Sequence, residues 1–319
     1  MENGQCSIVI RAYNEEKHIG RLLSGILKQR NVEPEIILVD SGSTDATRAI
    51  ASRYPVRVLE IPPEEFSFGR SLNLGCDAAK HEAIVIASAH VYPVYPDWLE
   101  CLLAALARPR VALAYGKQRG NVSTRFSEHQ IFAKWFPEDS NPDQARPFCN
   151  NANAVIRKSL WQKRPYDETL PGLEDLDWAA WAMGQGYRVA YVAEAEVIHV
   201  HEETLHQVYN RYRREAMALK RIRPEEKFQL SDLVRLFLVN LASDAWHAHH
   251  EGGIRGRLAE IIGFRWMQFW GTYRGFRMAG SLTGPLKQAF YYPRGFTRPP
   301  TSSRHDVRPI DYGTHTHDL

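Results

Sequence analysis

The chain has 319 residues, of which 44% are hydrophobic and 24% charged, values typical of a globular protein that exclude disordered and collagen-like classes. Its formal net charge of +3 is unevenly spread: residues 1–220 carry 26 Lys and Arg against 28 Asp and Glu, while residues 221–319 carry 14 against 9. Four scattered cysteines (Cys6, Cys76, Cys101 and Cys149) form no CxxC pair, which argues against a zinc ribbon or a disulfide framework and suits a reducing, cytoplasmic compartment.

Short β-rich runs at Cys6–Ile10, Glu35–Asp40, Val56–Ile61, Ala83–Ala87 and Val111–Tyr115 predict strands. Between them, helical spacing predicts helices at Glu15–Gln29, Thr44–Arg53, Gly69–Ala79 and Asp97–Ala107, with Ser43 and Asp97 as N-caps. Strand–helix–strand units in series imply a mainly parallel α/β sheet whose ligands bind at the carboxyl ends of the strands. Further on, strands are expected at Asn150–Ile156, Tyr187–Val192 and Glu196–Val200, with a short helix at Leu176–Gly184. Helices are expected again at Glu202–Arg221, Phe228–His249 and Arg255–Met278, before a loose Pro-, Ser- and His-rich end. This divides the chain into a catalytic unit at 1–222, a helical extension at 223–298 and a tail at 299–319. The N-terminus enters the first strand directly, so no secretory signal is expected. Nor is a membrane span, because no run of about 18 apolar residues occurs.

Two turns carry the first chemistry. Val9-Ile10-Arg11-Ala12-Tyr13-Asn14-Glu15-Glu16 leaves a strand for a helix and can offer backbone N–H groups to a ligand. Leu38-Val39-Asp40-Ser41-Gly42-Ser43-Thr44-Asp45 ends an apolar strand on an acidic residue. Desolvation there makes Asp40 seek a donor such as a base N–H or a ribose hydroxyl, whereas Asp45 suits a helix cap.

At this spacing the two segments resemble the nucleotide-binding half of family 2 glycosyltransferases, which have the GT-A fold. Downstream segments continue the resemblance in order: Phe66-Ser-Phe-Gly-Arg-Ser-Leu-Asn-Leu-Gly75, Tyr115-Gly-Lys-Gln118, Asn150-Asn-Ala-Asn153 and Gly172-Leu-Glu-Asp-Leu-Asp-Trp178. The second and third of these four are similar to segments of a rhamnosyltransferase-like subgroup, and the fourth resembles its acidic catalytic motif. The resemblance covers about residues 5–220. It implies transfer of a sugar from a nucleotide-sugar donor to a saccharide or lipid-linked acceptor, as in bacterial surface polysaccharide or glycolipid synthesis. It also implies donor contacts from Arg11, Ala12, Tyr13, Glu15, Asp40, Ser41, Gly69, Arg70, Asn73, Ser88, Ala89, His90 and Asn153.

One departure from the family stands out. Ser88-Ala89-His90 occupies the place of Asp-x-Asp, whose last carboxylate binds the metal on the diphosphate. An imidazole there suits Mn²⁺ better than Mg²⁺. Alternatively, a protonated His90 acts on the diphosphate without a metal. His199-Val-His201 follows a strand-like run, and residues i and i+2 point the same way; of the two, His201 is preferred as the second metal ligand. The Tyr209–Arg214 stretch offers guanidinium forks for phosphate oxygens or else forms a solvated basic face.

Glu174-Asp175 falls in a loop before the helix expected from Leu176. The resemblance implies that Asp175 is the general base of an inverting displacement, with Glu174 binding acceptor or supporting the loop. The alternative is that both carboxylates serve only the helix dipole, a role that suits Asp177.

Residues 251–298 hold eight Lys and Arg against two acidic residues, interleaved with Phe264, Trp266, Phe269, Trp270, Tyr273 and Phe276. A basic aromatic helix over 255–278 either lies in a membrane interface, packs on the catalytic unit or pairs with a second copy in a homodimer. Nucleic acid is not an expected partner, since no binding motif accompanies the charge. Two competing functions are a nucleotidyltransferase, which would need a Gly-rich phosphate loop near the N-terminus, and a catalytically inactive binding protein.

Overall fold

The computed structural model describes residues 4–278 and 307–312. Strands β1 (Ser7–Ala12), β2 (Glu35–Asp40), β3 (Val56–Glu60) and β4 (Ala83–Ser88) are parallel neighbours in the order β3-β2-β1-β4. Their crossovers carry helices α1 (Ile19–Leu27), α2 (Thr47–Ala51) and α3 (Phe68–Ala78). Strand β5 (Val91–Pro93) and helix α4 (Trp98–Ala107) precede β6 (Val111–Arg119) and α5 (Phe126–Trp135). Then come β7 (Asn153–Arg157), α6 (Lys158–Trp161), α7 (Glu174–Gly184) and β8 (Arg188–His199). The eight-stranded sheet is ordered β3-β2-β1-β4-β7-β6-β8-β5, with β7 antiparallel to both neighbours.

Alternation along the central strands explains why the sheet is covered on both faces. Ile8, Ile10 and Leu38 point to α1 and α4, where Leu22, Leu23, Trp98 and Leu102 are fully buried. Val9, Ile37 and Val39 point the other way, onto Leu72, Cys76 and Trp178. The carboxyl ends of β1, β2, β4, β6 and β8 consequently lie along one edge of the sheet.

Tyr187–Val192 and Glu196–Val200, expected as two strands, are one strand with a register slip. Gly116 pairs with Val192 but Gln118 with Val197, so β8 bulges between them. A Cβ on Gly116 would collide with the Ala195 carbonyl and the Asn153 side chain, so the bulge needs glycine opposite it. The pattern also hid α5, whose buried residues include Ser127 and Glu128 beside Phe126 and Phe132, and the short α6 and β5. Ser43 is not the cap of α2, which begins at Thr47, and Asp97 makes no capping bond to α4.

Helices α8 (Leu205–Ile222), α9 (Leu230–His250) and α10 (Ile254–Phe276) follow. Helix α8 opens with a Thr204–Gln207 capping box. Helix α10 lies along α8 so closely that a Cβ on Gly271 would sit 2.5 Å from the Tyr209 carbonyl, and one on Gly275 would strike that of Arg213. Among the described residues the last strand ends at His199, and α10 packs on both α8 and α9. A buried bidentate pair, Arg265 Nε and Nη2 to Asp244 at 2.7 and 2.8 Å, joins α9 to α10. Ser127 of α5 donates to the same carboxylate at 2.6 Å. Gly271→Val is expected to destabilise the protein by about 1–3 kcal/mol, because the backbone it meets cannot give way; urea unfolding measures it.

Residues 307–312 are docked rather than loose: the Ile310 N–H donates to Val94 at 3.0 Å and the Tyr312 hydroxyl to Pro93 at 2.5 Å. The rest of the expected tail, and the extension beyond residue 278, fall outside the described residues.

Candidate active site

The two turns recognised in the sequence interlock. Asn14, at φ 53°, donates its N–H to Ser43 Oγ at 2.9 Å and accepts from the Thr44 N–H at 2.8 Å. Asp45 accepts from Thr47 and Glu16 N–H groups at 2.9 and 3.1 Å, the capping role expected of it. The Ser41 N–H reaches the Ala12 carbonyl at 3.0 Å. Asp40 is fully buried; Oδ2 accepts from Gly42 and Ser43 N–H groups, while Oδ1 has no partner among the described residues. An orphaned buried carboxylate oxygen asks for a donor from outside the chain.

Several residues expected at the donor make structural contacts within the chain. Gly69 is a packing glycine, since a Cβ there would lie 2.6 Å from the Asp167 carbonyl. Asn73 spends both donors on Tyr166 and Glu168 and accepts from Trp161 and Tyr166. Asn153 is buried, accepting from Trp98 at 2.8 Å and donating to the Lys117 and Ala195 carbonyls. Arg70 pairs with Glu65 and, at 3.9 Å, with Glu168. Ala89 is fully buried and the Ser88 N–H is bonded to the Ala152 carbonyl, so these two place His90 at the strand end.

His90 is joined by both later histidines. One ring nitrogen from each of His90, His199 and His201 lies within 4.8 Å of those of the other two. Each Nδ1 is held by an oxygen: His90 by Glu15 at 2.7 Å, His199 by Gln118 at 2.8 Å and His201 by Glu128 at 2.7 Å. Such partners fix the Nδ1–H tautomer and leave Nε2 as the ligand atom. His199 Nε2 is buried without a partner among the described residues. Burial, then the neighbouring His201 and His90, hold His199 well below the usual histidine range, so it is neutral. Burial opposes the charge on His90 too, but the Glu15 carboxylate outweighs it and raises its pKa. Arg211 is no solvated face: it bonds Glu128 and Glu203 at 2.6 Å each. Burial works against Glu128, yet Arg211 and His201 hold its carboxyl down at about 2.

Helix α7 begins two residues earlier than expected, after Leu173 at φ 57°, so Glu174 and Asp175 lie in its first turn rather than in a loop. Glu174 is buried and paired with Arg11 at 3.3 Å. The Arg11 guanidinium also stacks on Phe68 at 4.8 Å, and Arg214 lies 4.7 Å from the same ring. Arg11, expected at the donor, is thus also the partner of the acidic motif. Asp175 is half-buried and accepts from the Asn151 and Leu176 N–H groups at 3.0 and 2.8 Å. Burial, and next the Glu174 charge, push its pKa up to about 7 despite those bonds and Arg11. Asp177 pairs with Arg164 at 2.7 Å.

Sequence reasoning passed over Gln118, Glu128 and the full use of His199; only the His-x-His spacing signalled the last. Among the described residues no helix is long and apolar enough to cross a membrane.

The glycosyl transferase family 2 profile matches residues 7–165. An O-antigen chain rhamnosyltransferase of Salmonella anatum is 29% identical over 196 residues, 58% of this chain and 62% of that protein. The chain thus spans less than two thirds of that relative. A mannosyltransferase from Pyrobaculum calidifontis, in complex with GDP-Man and Mn²⁺, is 18% identical with a TM-score of 0.57, covering 86% of this chain and 85% of its own. Glucosyl-3-phosphoglycerate synthase from Mycobacterium tuberculosis, in complex with Mn²⁺, UDP and glucosyl-3-phosphoglycerate, is 20% identical with a TM-score of 0.55, covering 71% and 82%. At those identities the likeness shows the fold, a GT-A sheet.

Proposed function

From membership of glycosyl transferase family 2, to which this chain belongs, we propose that it moves a sugar from a nucleoside-diphosphate donor to an acceptor hydroxyl in a single inverting displacement. Asp175 carries this reading. A half-buried carboxylate with its pKa raised to about 7 is matched to accept a hydroxyl proton near neutrality. Two N–H groups orient it, and Arg11 neutralises Glu174 beside it. A single displacement by the hydroxyl that Asp175 activates inverts the anomeric carbon.

On the donor side, Asp40 offers its free oxygen to the nucleoside, and the Arg11–Glu15 turn borders it. The three histidines fit a divalent cation, because their Nδ1 atoms are all engaged and the His199 Nε2 is orphaned. Imidazole ligands favour Mn²⁺ over Mg²⁺. When bound there, such a cation supplies charge neutralisation to a departing diphosphate. The Salmonella relative is a rhamnosyltransferase of O-antigen chains, which supports a deoxyhexose donor and an acceptor in surface polysaccharide or glycolipid synthesis. Four free cysteines suit a cytoplasmic site of action. The exposed Leu258, Ile262 and Trp266 of α10 support peripheral contact with a membrane or a second copy.

Calorimetry with UDP, dTDP, GDP and ADP, each with and without Mn²⁺, tests the donor site. Selective binding of one nucleotide, strengthened by Mn²⁺, is expected; binding of none of them would sink the reading.

A further inference from the structure

We propose that the cleft between the end of β6, α5 and the start of α10 binds an uncharged saccharide chain, with the α9–α10 hairpin as its outer wall. The inference rests on the transferase reading, for which this saccharide is the acceptor. The cleft measures about 660 Å³, within the roughly 300–1,000 Å³ of small-molecule sites. It is not the nucleoside site. Asp40 ends β2, four strand spacings from β6 in the sheet order, a separation of about 19 Å.

Three observations define the ligand. Gln118 lines the cleft at 1% exposure; its Oε1 is bound to His199 and its Nε2 has no partner among the described residues. That buried N–H₂ calls for an oxygen acceptor, which a sugar hydroxyl provides. Phe132 also lines the cleft, and its ring lies 6.0 and 5.9 Å from His199 and His201. It therefore separates the cleft from the histidines by one aromatic layer and offers an apolar surface to the C–H groups of a sugar ring.

Charge decides against an anionic ligand. Lys117 is paired with Glu138 at 2.5 Å, Arg119 with Glu196, and Arg257 with Glu251 at 2.7 Å. Each of these cations has a carboxylate beside it, so the cleft offers no unbalanced positive charge to a phosphate or uronate. Hydroxyl groups accept from the cations and donate to the carboxylates without disturbing that balance. Glu251 and Arg257 come from the hairpin, which accounts for the extension's place beside a transferase sheet.

The test uses the full chain on an array of uncharged hexose and deoxyhexose oligosaccharides, with uronate- and phosphate-bearing glycans as controls. Two plugging variants, Val122→Trp and Ala133→Trp, substitute cleft-lining positions exposed at the surface. The expected result is retention of uncharged glycans by the wild type, loss in both variants, and unchanged nucleoside-diphosphate binding in all three. Retention of charged glycans alone, of no glycan, or of uncharged glycans by both plugged variants overturns the assignment. Nucleotide binding is read separately, so glycan retention without it would sink the donor reading and leave the cleft standing.

Discussion

Asp175→Asn is expected to lower transfer by roughly 10²–10⁴-fold, the contribution of a positioned general base, or about 3–5 kcal/mol of barrier. Nucleoside-diphosphate affinity should stay at the wild-type value, since Asp175 bonds only Asn151 and Leu176. Asparagine is isosteric but has one oxygen where Asp175 uses two, one for each N–H, so it loses one of these bonds and thermal unfolding serves as the control for folding. The wild-type pH profile gives a second readout. A base works only when deprotonated, so the rate should climb through pH 7 and level off above it, following the raised pKa. Glu174→Gln should move that rising limb to lower pH, because it removes a charge that raises Asp175 and frees Arg11, which lowers it. Full activity in Asp175→Asn, or a limb that stays in place in Glu174→Gln, would overturn the assignment of the base and its tuning.

The sheet was legible because its strands are buried on both faces and bounded by turn residues. Glu35–Asp40 matches its expected span to the residue. Where burial is mixed, legibility fell. In α5 the buried side chains Ser127 and Glu128 are polar because they serve Asp244, His201 and Arg211, so the apolar period is lost. In β8 the bulge between Val192 and Val197 broke one strand into two in the pattern. The site divides along the same line. Asp40, His90 and Asp175 sit at chain positions that announce chemistry: a strand end or a helix start. Asn73 and Asn153 occupy equally suggestive segments, yet their amides knit the protein together. Residue type and spacing do not distinguish an amide that meets a ligand from one that, like Asn153, meets two carbonyls and an indole. Gln118 showed only as the end of the Tyr115–Gln118 segment and Glu128 not at all, because their importance lies in what they hold: an imidazole some 70 or 80 residues away in sequence.

The second large effect is expected at the histidines. Chelation should abolish transfer, and Mn²⁺ should restore it better than Mg²⁺, as an imidazole donor set prefers the later metal. His199→Ala should remove the Mn²⁺ response outright, because His199 is held neutral and its Nε2 has no other partner. Glu128→Gln tests the layer behind it. Losing the carboxylate that orients His201 and Arg211 is expected to weaken Mn²⁺ binding by about 10–100-fold, measurable by electron paramagnetic resonance of free Mn²⁺. The competing account places a protonated imidazole on the diphosphate. His90 is its candidate, since Glu15 raises its pKa, whereas His199 is driven the other way. That account predicts transfer indifferent to chelators, an activity that falls as pH rises through the His90 pKa, and little effect from His199→Ala. The chelation and His199→Ala results therefore separate a cation-holding cluster from an imidazolium one, whichever nucleotide the donor carries.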